Sequence, residues 1–201
     1  MLKKIELKTP ILEEDARKLT VGDVVYVTGT LLTARDAAHK RIMQFLHEGR
    51  KLPMVFEGLP LYHCGPLIKK TDGEWTVLAA GPTTSMRMES FEDEVIRNLG
   101  VRLVIGKGGM GEKTSGAMKE HGAVYGAFTG GAAVLASRLV KRVKNVEWLD
   151  LGMAEAVWTF EVDKFGPLIV CMDSRGNNLY ARVRTEAENN KPKIISGFKL
   201  Q

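Results

Sequence analysis

Short apolar runs alternate along the chain with segments whose apolar residues recur every three or four positions. Runs of the first kind are typical of buried strands, and segments of the second kind are typical of helices with one buried face. Their alternation indicates an α/β protein built from consecutive strand and helix units. The predicted strands cover residues 21–29, 75–80, 101–105, 123–128, 157–162 and 168–172.

Capping signals mark the predicted helix boundaries. The segment Thr33-Ala34-Arg35-Asp36 has the form of a capping box and predicts a helix that runs to about His47, with Arg35 in its first turn. Glycine commonly closes a helix because it adopts the left-handed conformation without strain. The other predicted helices are 89–98 closed by Gly100, 112–121 closed by Gly122, 132–143, and a last helix for which Ser174 is a possible cap.

The length of 201 residues suits one compact domain, so we expect residues 1–201 to form a single domain. Hydrophobic residues make up 44% and charged residues 26% of the chain, which is ordinary for a folded globular protein. No apolar run approaches the roughly 18–20 residues that span a bilayer, and residues 1–10 lack the apolar core of a signal peptide. We therefore expect a cytoplasmic protein that does not cross a membrane.

The chain has only two cysteines, Cys64 and Cys171, which lie far apart in the sequence. This arrangement does not support a disulfide framework or a zinc ribbon. The chain also lacks the third cysteine that an iron–sulfur cluster site would need. We therefore predict no metal ligand set in this chain.

The net charge of +5 allows acidic partners, but 24 acidic residues are interspersed among the 29 basic ones. The densest basic stretch, residues 138–144, is interpreted as the solvated face of the predicted helix 132–143. No basic motif interleaved with aromatic residues accompanies it. Nucleic-acid binding is therefore not supported.

Basic and hydroxyl side chains follow several predicted strands, and ligands of open α/β sheets bind beyond the carboxyl ends of the strands. Arg35 lies at one such end, where its guanidinium would add a two-pronged donor to free amides at a helix start. An exposed arginine in a first helical turn is an equally simple interpretation. The segment 81–87, Gly-Pro-Thr-Thr-Ser-Met-Arg, offers three hydroxyls and Arg87 to a carboxylate or phosphate. A polar turn that caps the next helix explains the same residues.

The glycine loop 106–111 matches the dinucleotide pattern G-x-G-x-x-G after a predicted strand. The acidic residue that would bind a ribose about 20 residues later is missing, because the next strand ends in Ala127-Phe128-Thr129. Glu112 also separates Gly111 from Lys113 and breaks the spacing of a phosphate-binding P-loop. The loop therefore favours a smaller anion, approached by Lys107 and backbone amides, over a nucleotide.

The four histidines add little by themselves. His39 and His63 could lie near strand ends, but isolated histidines are more often hydrogen-bonded structural groups. His47 and His121 fall at predicted helix ends, where a partial negative charge favours them.

Five segments in series resemble the β subunit of class I fumarase and L-tartrate dehydratase, and this resemblance spans nearly the whole chain. It implies a swivelling three-layer β/β/α domain that works with an α subunit carrying a [4Fe-4S] cluster. In that family the cluster acts as a Lewis acid on the hydroxyl of malate, while the β subunit binds the remaining carboxylate. The segments that carry the resemblance are 33–39, 62–66, 81–88, 106–110 and 152–158.

The resemblance assigns substrate binding to Arg35, Thr83, Arg87 and Lys107. The three cations would bind and orient a carboxylate of a small dicarboxylate such as fumarate or malate. Thr83 would lie near the transferred proton as a possible catalytic base, although an alcohol needs activation for that role. Alternatively, Thr83 only positions the substrate. The expected assembly is a hetero-oligomer that is active only with its α subunit.

Three alternatives stay open at the level of the sequence. Fumarate and tartrate enzymes share these motifs, so the substrate is not decided between fumarate or malate and tartrate. A stand-alone carboxylate-binding domain would need the same arginines but no cluster-bearing partner. A nucleotide-dependent enzyme would instead need the glycine loop 106–111 to hold phosphate.

Overall fold

The computed structural model describes residues 4–197 and contains both strands and helices. The strands are β1 Lys4–Lys8, β2 Val24–Thr33, β3 Leu61–Tyr62, β4 Leu67–Thr71, β5 Glu74–Ala79, β6 Leu103–Gly106, β7 Val124–Ala127, β8 Val140–Glu147 and β9 Val157–Met172. The helices are α1 Glu13–Lys18, α2 Asp36–His47, α3 Glu89–Leu99, α4 Glu112–His121, α5 Ala133–Arg138 and α6 Leu179–Gly197. Two short 3₁₀ helices cover Ser85–Met88 and Leu149–Leu151.

Five strands close into a barrel-like sheet in the order β2, β3, β6, β7 and β9, because β9 pairs with both β7 and β2. The strands β2, β3, β6 and β7 run parallel to one another, and β9 is antiparallel to both β7 and β2. β1 extends the sheet beside β2, and β8 extends it beside β9. The predicted α/β class and the β–α units are confirmed.

The short strands β3, β6 and β7 of the barrel are buried on both faces. In β6, Leu103 and Ile105 belong to one apolar cluster, which includes Phe160 and Leu168 of β9. Val104 points the other way, into a cluster with side chains of α2, α3 and α4. Side chains alternate across a strand, so a continuous apolar run such as that of β6 serves two cores.

The parallel strands bring their carboxyl ends to one edge of the barrel. Helices α2 and α4 begin shortly after β2 and β6 at this edge. β5, in contrast, pairs only with β4 in a separate two-stranded sheet. The chain leaving β5 nevertheless reaches the same edge, because Pro82 bridges to Cys64 and Thr84 bridges to Lys107.

The predicted helix 132–143 is wrong in its second half. α5 ends at Arg138, and the chain continues as strand β8, which pairs with β9. Val140, Val143 and Val146 are half-buried at every third position because two register shifts interrupt the pairing. Each β-bulge resets the alternation of side chains, and the resulting period imitates a helix. The basic stretch is solvated, but as the outer face of a strand.

Two predicted caps are also wrong. Thr33 belongs to β2, and its hydroxyl oxygen accepts a hydrogen bond of 3.2 Å from the backbone N–H of Trp158. α2 therefore begins at Asp36, and Arg35 occupies the N-cap position instead of the first turn. The last helix is capped by the side chain of Asn178, which accepts hydrogen bonds from two backbone amides, and not by Ser174.

The predicted strands 157–162 and 168–172 form one strand, β9, which is 16 residues long. The predicted strand 21–29 is displaced along the chain from the observed β2. The predicted strands 75–80, 101–105 and 123–128 and the predicted helices 89–98 and 112–121 match the observed elements to within about two residues. Among residues 4–197, no helix has both the length and the apolar composition required to cross a membrane.

Candidate functional site

Arg35 lies at the carboxyl end of β2, immediately before α2. Its Nε is 2.9 Å from Oε1 of Glu155 and 3.2 Å from Oδ2 of Asp36. The guanidinium packs against Gly65, where a Cβ atom would lie only 2.8 Å from Nη1. Nη1 and Nη2 donate no hydrogen bond within residues 4–197. Arg35 is therefore fixed by its Nε and its packing, while both terminal amino groups stay available to a ligand.

Arg87 belongs to the 3₁₀ helix Ser85–Met88 and is half-exposed. Its Nη2 lies 2.7 Å from Oδ2 of Asp36, the oxygen that Arg35 also approaches. Burial opposes ionisation of Asp36, but its backbone amide, the hydrogen bond from Arg35 and the charges of both arginines hold its pKa below the usual value. Asp36 is thus an ionised bridge that brings two guanidinium groups together.

Thr83 and Lys107 are brought together by the backbone. The N–H of Thr83 donates to the carbonyl of His63 at 2.8 Å, and the N–H of Lys107 donates to the carbonyl of Thr83 at 3.3 Å. Within residues 4–197, the Thr83 hydroxyl and the Lys107 ammonium have no hydrogen-bond or ion-pair partner. The Lys107 side chain passes Gly130, where a Cβ would be 3.7 Å from its Cδ. Both polar groups can therefore receive a ligand.

Carboxylates of this chain occupy the helix starts that the sequence predicts as anion sites. Oε2 of Glu155 accepts the backbone N–H of Ala37 at 2.8 Å in the first turn of α2. The Glu89 carboxylate accepts the backbone N–H groups of Gly111 and Thr114, at 2.7 Å and 3.3 Å, at the start of α4. Three of the amides expected to be free at these positions are therefore already hydrogen-bonded, and a bound anion would depend mainly on side chains.

The glycines of the loop 106–111 are required by packing or by backbone conformation. A Cβ at Gly106 would collide with Oγ of Ser85, one at Gly109 would lie 2.3 Å from the Tyr180 ring, and one at Gly111 would lie 2.6 Å from Glu89. Gly109 also has φ +75°, in the left-handed region that favours glycine. The contacts at Gly106 and Gly111, together with the left-handed φ of +83° at Gly108, explain the G-x-G-x-x-G pattern without a nucleotide.

His39, His63 and Glu92 form a buried cluster next to these segments. Oε2 of Glu92 lies 3.1 Å from Nε2 of His39 and 3.0 Å from Nε2 of His63. Nδ1 of His63 lies 2.9 Å from Oγ of Ser85, which is 3.0 Å from the hydroxyl of Tyr125. The expectation that His39 and His63 are hydrogen-bonded is confirmed.

Cys64 and Cys171 are both free and buried, and burial raises the pKa of each thiol. An iron–sulfur cluster needs deprotonated thiolate ligands, whereas these two groups are protonated thiols inside the core. Two such cysteines do not fit a cluster that is held by three thiolates. This chain therefore does not provide the ligands of an iron–sulfur cluster.

The four residues predicted from the sequence lie on neighbouring segments. Arg35 and Arg87 meet at Asp36, Thr83 precedes Arg87 by four positions, and Lys107 pairs with the Thr83 segment. They do not line the cavity of about 630 Å³ that residues 20–22 and 173–182 form. The candidate site is therefore separate from that cavity.

Sequence reasoning missed two acidic residues of this site. Asp36 appears in the sequence only as part of a capping box, and Glu155 only as part of the segment 152–158. Their contacts to arginine depend on positions that are over 50 or over 100 residues apart, so local patterns do not reveal them. The only available signal is the presence of Glu155 inside one of the five family-like segments.

A comparison with protein families matches residues 1–183 to the family described as the fumarase C-terminus. The chain belongs to this family. It is 47% identical over 180 residues to the β subunit of L(+)-tartrate dehydratase from Escherichia coli, which covers 90% of this chain and 88% of that protein. The resemblance that the sequence motifs indicate is thereby confirmed.

Two further relatives of this chain come from other organisms. A putative L(+)-tartrate dehydratase β subunit of Methanocaldococcus jannaschii is 44% identical over 184 residues, 91% of this chain and 94% of that protein. A putative class I fumarate hydratase of Geobacillus stearothermophilus is 43% identical over 196 residues, 97% of this chain but 36% of that longer protein. This chain thus matches separate β subunits along most of their length, and it matches only part of the longer class I fumarate hydratase chain.

Proposed function

We propose that this chain is the β subunit of a two-subunit class I fumarase, a hydro-lyase that interconverts fumarate and L-malate. The observation that carries the proposal is the pair Arg35 and Arg87, which share one oxygen of Asp36 beside Thr83 and Lys107. Paired guanidinium groups suit a carboxylate because each offers donors in a planar fork.

The charge of the site supports binding of an anion. Arg35, Arg87 and Lys107 carry three positive charges, and Asp36 and Glu155 supply two negative ones within contact distance of the arginines. Asp36 and Glu155 use Nε of Arg35 and Nη2 of Arg87, so other N–H groups of both arginines remain for the substrate. One carboxylate of the dicarboxylate would be held there, with Lys107 adding an unpaired charge.

Thr83 is the proposed catalytic residue. Its hydroxyl would face the carbon that loses or gains a proton, and Lys107 and Arg87 would favour the alkoxide form by their positive charges. A carboxylate of the partner subunit could accept the proton from that hydroxyl. The alternative role for Thr83 is to position the substrate by a hydrogen bond while another group acts as the base.

The [4Fe-4S] cluster of the proposed enzyme would belong to the α subunit, because the two buried cysteines of this chain do not fit it. When bound, such a cluster supplies a Lewis acid for the hydroxyl group of the substrate. The part of this chain would be to fix the other end of the dicarboxylate, so that the reacting carbons are oriented between the two subunits. The assembly would be a hetero-oligomer. For the whole chain, we propose one domain with the family's swivelling three-layer β/β/α arrangement.

A second candidate substrate is L-tartrate. The tartrate dehydratase β subunits that resemble this chain do so along most of their own length. Tartrate differs from malate by one hydroxyl, and both acids present the same carboxylate to Arg35 and Arg87. The proposed binding mode therefore serves either substrate.

The deciding experiment is an anaerobic assay of this chain, assembled with its cluster-bearing partner, on malate, fumarate and both tartrates. Turnover of malate and fumarate by the assembled pair alone is the expected result. Faster turnover of one tartrate would assign the second candidate. Full activity of the isolated chain would refute the subunit proposal, and binding of dicarboxylates without turnover would favour a stand-alone binding domain.

A further inference from the structure

Three side chains that are distant in sequence meet in the core behind the candidate site. His39 of α2, His63 after β3 and Glu92 of α3 have no exposed surface. One carboxylate oxygen, Oε2 of Glu92, lies within hydrogen-bond distance of both imidazoles. The other, Oε1, is buried without a hydrogen-bond partner. A buried carboxylate with an unsatisfied oxygen is costly, so stability alone gives a poor account of it.

The hydrogen bonds determine the charge of the cluster. Nδ1 of His39 lies 2.9 Å from the carbonyl oxygen of Arg35, which can only accept, so Nδ1 must carry a proton. Nε2 of His39 faces Oε2 of Glu92, and the interactions with His63 and His39 lower the pKa of this carboxyl group, so Nε2 donates to an ionised Glu92. His39 is then an imidazolium that forms a buried ion pair with Glu92.

The second histidine is neutral and extends the network. Burial lowers the pKa of His63 against the opposing effect of Glu92. Nε2–H of His63 donates to Glu92, and Nδ1 accepts the hydroxyl proton of Ser85. Oγ of Ser85 in turn accepts from the Tyr125 hydroxyl, which accepts the backbone N–H of Gly109 at 3.3 Å. With these proton positions, every hydrogen bond from Glu92 to Gly109 has a donor that faces an acceptor.

Each end of this network reaches a segment that carries a proposed substrate-binding residue. Nδ1 of His39 donates a hydrogen bond to the backbone carbonyl of Arg35. The carbonyl of His63 accepts the N–H of Thr83, and its ring holds Ser85 in the turn that carries Arg87. The glycine loop of Lys107 is reached through Gly109. No other set of side chains in residues 4–197 connects these three segments through hydrogen bonds.

We propose that the His39–Glu92 ion pair, with neutral His63, is the positioning centre of the carboxylate-binding site. Its charge fixes the proton positions along the network, and the network sets Arg35, Thr83, Arg87 and Lys107 relative to one another. The identity of the ligand in this inference rests on the proposed function. The existence of the His39–Glu92 ion pair does not depend on that function. Glu92, His39 and His63 are positioning residues, since none of them touches the substrate.

A metal ion is the competing occupant of this cluster. The potential ligand atoms of His39, His63 and Glu92 lie within 4.8 Å of one another. Two histidines and a glutamate are a ligand set that suits zinc. The oxygen-to-nitrogen distances of 3.0 Å and 3.1 Å fit direct hydrogen bonds, so the ion pair accounts for the cluster without a metal, and zinc is an outcome of the test.

The first test compares the variant Glu92→Gln with Glu94→Gln in the complex with the α subunit. Glu94 lies on the same helix and contacts His47 of α2 at 3.1 Å, but on the exposed surface, so it is a matched control. We expect Glu92→Gln to raise KM for the dicarboxylate at least tenfold with a smaller change in kcat, because the carboxylate contacts are displaced. Glu94→Gln should leave both unchanged.

Ser85→Ala keeps the test decisive if Glu92→Gln folds poorly. It removes the link from His63 to Tyr125 but leaves the ion pair intact. KM should again rise, by several-fold, and the loss of two buried hydrogen bonds should lower the free energy of unfolding, but by less than the loss of the ion pair. Wild-type kinetics in folded Glu92→Gln and Ser85→Ala would overturn the proposal and leave the cluster a purely structural feature.

Nitrogen-15 NMR of the histidines separates this inference from the proposed function. In the full wild-type chain near neutral pH, we expect one histidine, His39, with protons on both nitrogens, and loss of that signal in Glu92→Gln. This measurement does not depend on turnover. An inactive complex would refute the proposed function, and the NMR spectrum would still show whether the ion pair exists. A neutral His39, or stoichiometric zinc that is lost in His63→Gln, would overturn the inference.

Discussion

Nη2 of Arg87 lies 2.7 Å from Oδ2 of Asp36, which joins the turn after β5 to the first residue of α2. Arg35 approaches the same oxygen, so one carboxylate orients two guanidinium groups. Without the carboxylate of Asp36 between them, the positive charges of Arg35 and Arg87 would repel each other. An incoming carboxylate finds both donors already in place, which reduces the entropy lost on binding.

Arg87→Lys should impair the assembled enzyme although the charge is kept. One ammonium cannot both reach Asp36 and offer a planar pair of donors to the substrate. A hydrogen bond to a charged group contributes about 1.5–3 kcal/mol, so kcat/KM on the best substrate should fall about 10- to 100-fold. Steady-state kinetics would measure the change. Arg97→Lys on the exposed face of α3 is the matched control and should be neutral; equal kinetics for both variants would remove Arg87 from the site.

Gly65→Ala tests the placement of Arg35 without altering any charge. The new Cβ would lie 2.8 Å from Nη1 of Arg35 and 2.7 Å from the carbonyl oxygen of Ala154, so the guanidinium must move. We expect KM to rise about tenfold, equivalent to about 1.4 kcal/mol of binding free energy. An unchanged KM in a correctly folded variant would show that Arg35 does not bind substrate in this position.

The glycine loop should respond to substitution as a packed structural turn. Gly109→Ala places a Cβ 2.3 Å from the Tyr180 ring at φ +75° and should lower the free energy of unfolding by about 1–3 kcal/mol. Gly116→Ala in α4 is the matched control, since no atom lies within 4 Å of its added Cβ. It should raise the free energy of unfolding by about 0.5–1 kcal/mol. Urea denaturation would measure both, and a neutral Gly109→Ala would contradict the packing account.

Nucleotides should not bind the same loop. The Glu89 carboxylate already accepts the amides of Gly111 and Thr114 that a phosphate would need. Calorimetric titration with ATP or NAD should therefore give no heat. Micromolar binding of either nucleotide would restore the nucleotide-dependent alternative.

Local patterns predict most of the fold because each buried strand and amphipathic helix carries its own periodicity. α4 and the helix closed by Gly100 are examples in which a glycine cap fixes the end. β8 could not be predicted in this way. Its valines recur every third position only because bulges against β9 reset the strand, and the partner strand is not visible in the local sequence.

The site shows the same division. Resemblance to a family assigns substrate binding to Arg35, Thr83, Arg87 and Lys107. Parallel strands that end at one edge bring Arg35 and Lys107 together, whereas the segment of Thr83 and Arg87 reaches this edge through isolated bridges at Pro82 and Thr84. The acidic partners depend on tertiary contacts. Glu155 reaches Arg35 across 120 positions of sequence, and no local spacing encodes that contact.

Glu92 should give the protein a pH-dependent stability that an exposed glutamate does not. Burial opposes its ionisation, but the interactions with His63 and His39 outweigh burial and lower its pKa from 4.5 to about 2. A carboxyl group with a lowered pKa in the folded state stabilises the protein fully above its unfolded pKa, and this stability is lost as pH falls towards the folded pKa.

Near neutral pH, Glu92→Gln should therefore cost about 3–5 kcal/mol, because removal of the carboxylate breaks the buried ion pair and His39 must give up its second proton to remain buried. The difference from wild type should shrink as pH falls from 4.5 towards about 2, the range between the two pKa values. Urea denaturation across this pH range would measure it. Glu94→Gln, whose histidine partner is exposed, should stay within about 1 kcal/mol of wild type at every pH. A difference for Glu92→Gln that is independent of pH would show that the lost contribution is packing, and would argue against an ionised Glu92 in the folded protein.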